Sequence, residues 1–268
     1  MADLPNTPTV TALIFMAIAI VVVTIVVIRM FIQYHKRKRL AALLIAFSFF
    51  FWGLAVIATF IGALLQKIYY PIDPIVGAVQ YSRYGINIGY LFSALTNIFI
   101  VYFVSEIFSQ KQVFKYTGKI MPILHGILNG VTIGLIIHML ARSFDPASDN
   151  YWNPTYPLGQ TIYHLAWTLT AFTILLVFSV QARRKATLRW EKAGFSFIIT
   201  TAVLAELVYV FFTMDLAVQE IWAATFSSGY THFNNLGWLT AAIMVMFAYL
   251  GFFMPDWLRD RLKQLEVK

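Results

Sequence analysis

The chain has 268 residues, 60% of them hydrophobic and only 12% charged, with a mean hydropathy of +0.72. A water-soluble domain of this length must keep its outside wet and cannot hide that much apolar surface, so the composition points to a membrane protein. The net charge is +8 and there is no cysteine, which removes disulfides, thiolate metal sites, catalytic thiols and covalent c-type haem attachment.

The first residues, Met1 to Pro8, contain no Lys or Arg, so they lack the basic start of a secretory signal. The apolar run that follows predicts an uncleaved first helix. A membrane span needs about 20 mostly apolar residues. Such runs occur at 9–33, 40–66, 84–108, 119–141, 158–182, 194–217 and 235–254. Short polar connections separate them, with Asp145-Pro146 and Asn153-Pro154 as breaks. After Pro255, residues Trp257, Leu258, Leu262 and Leu265 share one face and Arg259, Arg261 and Lys263 fall away from it, the pattern of a helix lying in the head-group layer. The expectation is an all-α polytopic bundle. Residues 1–254 form a seven-helix transmembrane domain and 255–268 an amphipathic tail with no soluble output domain attached.

Lys and Arg alternate sharply between the two sets of connections. Seventeen fall on one side: Arg29 and Lys36–Arg39, Lys111, Lys115 and Lys119, then the groups around Arg183–Lys192 and Arg259–Lys268. Three, Lys67, Arg83 and Arg142, fall on the other. The positive-inside rule then predicts an outer N-terminus and a cytosolic C-terminus in a multi-pass protein of the cell membrane. Topology and contact with anionic head groups account for the basic residues, so no nucleic-acid partner is expected. The run His35–Arg39 is the alternative docking point for an acidic cytosolic protein. On the outer side Tyr69, Tyr70, Tyr81, Tyr84, Tyr151, Trp152, Tyr156, Trp222 and Tyr230 read as an aromatic belt, with a ligand vestibule as the alternative.

Small residues recur every four positions in the third span (Gly85, Gly89, Ser93, then Asn97) and in the fourth (Gly126, Gly130, Gly134). Such stripes let backbones approach closely. They predict tight packing of the third span on the fourth, with a homo-oligomer or membrane-complex face as the alternative.

Glu206 lies near the middle of the sixth span. A carboxylate at membrane depth is costly, so it is expected to face the bundle interior, paired or protonated, with Tyr209 on the same face. Its functional reading is a ligand counter-ion or proton-binding group, and its bland reading a neutral interhelical hydrogen bond. Asn97, Asn129 and His125 are the other ligand or proton candidates. His138 and His164 come at similar depth on sequential spans, which makes them the candidates for a metal or a two-sided b-type haem, with His232 able to approach. His125 and His138 differ by about 220° around their helix, which does not suit a stacked di-haem site. No HExxH, GxSxG or phosphate-binding glycine loop occurs, so no enzyme class is indicated. No Lys lies in the core of a span, which leaves a retinal Schiff base without an attachment point.

The basic cluster Lys36–Arg39 leading into Ala46–Trp52, the third span from Tyr84 to Ser105, and the exit Tyr249–Leu258 resemble the N-terminal seven-helix region of certain prokaryotic histidine kinases and related stand-alone prokaryotic proteins. The resemblance implies a sensory or receptor-like domain and carries over no site residue. The leading expectation is therefore a non-enzymatic receptor or sensor, without a cofactor, that binds a ligand or lipid and signals to a separate cytosolic protein. The alternatives are a haem b electron-transfer subunit, a proton-coupled carrier using Glu206, and a structural subunit of a membrane complex.

Overall fold

A computed structural model describes residues 8–69, 79–108, 117–149, 151–154, 158–221 and 230–264. Among these the chain forms eight helices and no strand: α1 (Val10–Arg37), α2 (Leu40–Tyr69), α3 (Tyr81–Phe108), α4 (Thr117–Arg142), α5 (Leu158–Lys185), α6 (Arg189–Ile221), α7 (His232–Phe253) and α8 (Asp256–Gln264). The first seven are long and apolar enough to cross a membrane, which marks a multi-pass membrane protein. Each runs a few residues past its apolar stretch, because charged and polar ends add helical turns at the head-group level. Tyr70, Tyr156, Trp222, Lys111, Lys115, Leu265 and Lys268 lie outside the described residues.

Local chemistry sets the helix ends. The Thr9 hydroxyl accepts from Ala12 N at 3.2 Å and caps α1. Lys38 then takes the left-handed conformation, φ 50°, and its N–H reaches Tyr34 O at 2.8 Å. That closes α1 within two residues of the start of α2. Between α4 and α5, Trp152 also has positive φ, 57°, and exchanges backbone bonds with Ser143 and Gln80. Arg83 Nη1 donates to Asn153 Oδ1 at 2.6 Å and Asn87 Nδ2 to Pro154 O at 2.7 Å, so this connection folds down onto the start of α3.

Six helices close a ring in the spatial order α1, α2, α3, α5, α6, α7, with α7 returning to α1. α4 stands outside the ring, seated mainly on α3 and touching α5 only lightly. α1 shows how one face is chosen: Ala12, Met16, Ala19, Val23 and Met30 are buried at three-, four- and seven-residue steps, while Ile14, Val21 and Ile25 point outward.

The tightest contact is between α2 and α3, not between α3 and α4 as the glycine stripes predict. A Cβ on Gly85 would lie 2.6 Å from Ala58 O and 2.9 Å from Gly62 Cα; one on Gly89 would lie 2.8 Å from Thr59 Oγ1. Gly126, Gly130 and Gly134 of α4 have nothing within 4 Å of an added Cβ, so their stripe faces away from the bundle. The reason lies in the helical period. Each four-residue step overshoots a turn by about 40°, so a stripe that starts against α2 at Gly85 has rotated by roughly 80–120° when it reaches Ser93 and Asn97. Those two residues turn toward α5 and α4 instead.

Candidate functional site

Three helices each carry a pair of polar residues four apart: Ser93 and Asn97 on α3, His125 and Asn129 on α4, His164 and Thr168 on α5. That spacing puts both members on one face, and the fold turns the three faces together. Tyr209 of α6 lies 2.8 Å from Ser93 Oγ, and Ser93 Oγ lies 3.2 Å from His164 Nε2. Thr168 donates to the His164 carbonyl at 2.9 Å and accepts from Asn97 Nδ2 at 2.8 Å. Asn97 Nδ2 also donates to Asn129 Oδ1 at 3.1 Å. Asn129 Nδ2 reaches His125 Nδ1 and His125 O, both at 2.9 Å, and His125 Nε2 reaches Trp167 O at 3.1 Å. The result is one buried network across α3, α4, α5 and α6.

The partners assign the protons. Asn129 gives His125 Nδ1 a donor, so His125 carries its hydrogen on Nε2 and donates to Trp167 O. Ser93 bridges Tyr209 and His164, and either hydroxyl of the Ser93–Tyr209 pair can donate. His164 Nδ1 and Asn97 Oδ1 are buried with no hydrogen-bond partner among the described residues.

Ser93 and Tyr209 also line a cavity of about 200 Å³ inside the ring. Its walls come from α2, α3, α5, α6 and α7 and are mostly apolar and aromatic, including Trp52, Tyr90, Phe212 and Trp238. The Phe212 and Trp238 rings meet at 5.0 Å, where Gly237 leaves room: a Cβ there would stand 2.5 Å from the Phe212 ring. Among the described residues, three buried polar atoms of this wall have no hydrogen-bond partner: Tyr230 Oη, Trp238 Nε1 and Asn234 Oδ1.

Asp215 of α6 borders the same cavity and is 6% exposed. It accepts from Thr231 N at 2.7 Å, Thr231 Oγ1 at 2.6 Å and Asn234 Nδ2 at 3.4 Å. Thr231 is the N-cap of α7, so Asp215 pins the start of α7 to α6 and fixes the rim of the cavity. Burial and the charge of Asp215 push the Tyr230 hydroxyl above the usual phenol range, so it stays protonated and keeps a donor to offer. Sequence reading passed over Asp215. Its signal was the Thr231–Asn234 segment ahead of an apolar helix, which needs an acceptor nearby.

Of the predicted ligand or proton residues, Tyr209, Asn97, Asn129 and His125 come together in the network. Glu206 does not join them. It is half-buried on the flank of α6, where Thr173 Oγ1 of α5 donates to its Oε1 at 2.8 Å. Its neighbour Ala205, about 100° round the helix, is the residue that faces the core. The interior position expected for Glu206 is thus corrected. The predicted meeting of His138 and His164 is corrected too. His138 is exposed on the outer face of α4, whereas His164 is fully buried against Ser93 and packs its ring 5.0 Å from Tyr90. Among the described residues no three His, Asp or Glu side chains converge as a metal site. The packing role given to Gly85 and Gly89 is met on α2, and Ser93 serves the network instead.

No known protein family matches the chain, and neither a curated protein nor a solved structure is similar to it. No comparison supports the expected likeness to histidine-kinase membrane regions, and it carries no argument about function.

Proposed function

We propose that the chain is a receptor-type membrane protein that holds a small, mostly apolar ligand with one polar group inside the six-helix ring. The observation that carries this reading is the 200 Å³ cavity with three polar atoms at its wall that have no hydrogen-bond partner among the described residues. A buried polar group left unpaired costs about 1–3 kcal/mol, so a ligand that completes these groups binds favourably. A hydroxyl serves well, because it can accept from the Trp238 N–H and donate to the Asn234 oxygen. Size narrows the choice: an apolar cavity of about 150 Å³ takes benzene, so this one suits a ring with a short substituent.

The network supplies the readout. A ligand in the cavity lies against Ser93 and Tyr209, and any change in their bonding alters what His164, Asn97 and Asn129 can share. α4 sits outside the ring, so a small shift of α4 is the natural output toward a partner at the basic, cytosolic end. Asn97 and Asn129 at the centre have no titratable proton, which favours a positioning network over a proton path and the receptor over the carrier.

A thermal-shift series tests this. We expect 4-fluorobenzyl alcohol to raise the unfolding temperature of the protein in nanodiscs in a saturable way, 4-fluorotoluene to do so less, and Val208→Phe, which fills the cavity, to abolish both shifts. Equal shifts in the wild type and Val208→Phe would rule out this site.

A further inference from the structure

A second cavity, of about 420 Å³, lies at the opposite, basic end, where the ends of α3, α5, α6 and α7 meet the start of α8. α6 and α7 cross here with backbones nearly touching. A Cβ on Gly251 would lie 2.7 Å from Ile198 Cγ1 and 3.2 Å from Gly194 O. The inner wall is apolar, built from residues such as Ile107, Phe195, Ile198 and Phe252, while Lys185, Trp190 and Arg259 also line it. Arg259 is ion-paired on two sides: Nη2 donates to Asp256 Oδ1 at 2.5 Å and Nε lies 4.0 Å from Asp260 Oδ1. Among the described lining residues Glu191 is the acidic one. Lys185 is the last residue of its span and Arg189 begins the next, so the site sits at head-group level. α8 carries Trp257, 66% exposed, beside it as an interfacial anchor.

We propose that this cavity is a binding site for the phosphate of an anionic phospholipid. The phosphate sits between Lys185 and Arg259, and an acyl chain lies along the Phe195–Phe252 wall. Arg offers a fork of donors that matches phosphate oxygens, and Lys adds a mobile point charge. Basic pockets between helix ends recognise phospholipid head groups for this reason. The apolar inner wall distinguishes the site from one for a dissolved phosphate ester, which has nothing to place there. The site is independent of the inner cavity, so either can fail without the other.

The expected size follows from charge. Each cation near the surface is worth about fivefold in anionic-lipid binding, and Arg259 already shares its charge with Asp256 and Asp260, so Lys185 sets the scale and the preference for phosphatidylglycerol over phosphatidylcholine is at most about fivefold. The test counts lipids retained by the full chain in native mass spectrometry after release from mixed nanodiscs of these two lipids. Lys185→Gln/Arg259→Gln is expected to lose the preference, and Arg184→Gln, at the same helix end but outside the lining, to keep it. Glu191→Gln keeps every cation and is expected to raise the preference by about fivefold over the wild type, which tests the site even where the double variant folds poorly. No preference in the wild type, an equal loss in Arg184→Gln, or no gain in Glu191→Gln overturns the proposal. A thermal shift with glycerol 3-phosphate in pure phosphatidylcholine nanodiscs, without phosphatidylglycerol retention, reassigns the site to a soluble phosphate ester.

Discussion

The inside of the ring and its outside use the same residue types for opposite purposes. Two carboxylates of α6 show it: Asp215 is buried at the cavity and gathers three donors from the start of α7, whereas Glu206 rests on the flank against Thr173. α3 and α4 present two glycine rows at identical spacing. The α3 glycines meet the backbone of α2, and the α4 glycines meet open space. A residue's type sets what it can do, but the side of the helix it occupies decides whether it does it.

One substitution made in both rows sharpens this contrast most. Gly85→Ala drives a methyl to within 2.6 Å of a backbone oxygen that cannot move aside, so it should cost about 1–3 kcal/mol in reversible unfolding. Gly130→Ala meets nothing within 4 Å and improves helix propensity, so it should be neutral or stabilise by up to about 1 kcal/mol. The same sign for both changes would break the comparison. The carboxylates come next. Asp215→Ala strands two buried Thr231 donors and should cost about 1.5–3 kcal/mol, with the α6–α7 end fraying first in hydrogen exchange. The smallest effect belongs to Glu206→Gln. It keeps an acceptor for Thr173 and should change stability by less than about 0.6 kcal/mol, the mean for interhelical hydrogen bonds in lipid.

Helix number, placement and the amphipathic start of the tail were legible because apolar runs of span length leave one solution in a bilayer. Four of the five polar candidates, Tyr209, Asn97, Asn129 and His125, were legible as a class, since polar groups at depth must find partners. Facing was not. Glu206 and Ala205 are adjacent in sequence yet about 100° apart, and only the packing of α5 and α7 on α6 decides which is interior. His138 and His164 failed as a pair for the same reason: equal depth does not give a common side, and α4 lies outside the ring. Asp215 was missed because its partners are 16 and 19 residues away, across the turn into α7.

The central claim is that the ligand site lies inside the ring. The most direct measurement is a fluorine NMR titration of 4-fluorobenzyl alcohol into the protein in nanodiscs, run on the wild type, Val208→Phe and Glu206→Gln. The account predicts a saturable bound resonance in the wild type that Glu206→Gln retains and Val208→Phe removes. A bound resonance that survives Val208→Phe and disappears with Glu206→Gln would contradict it, and would move the site to the outer flank of α6.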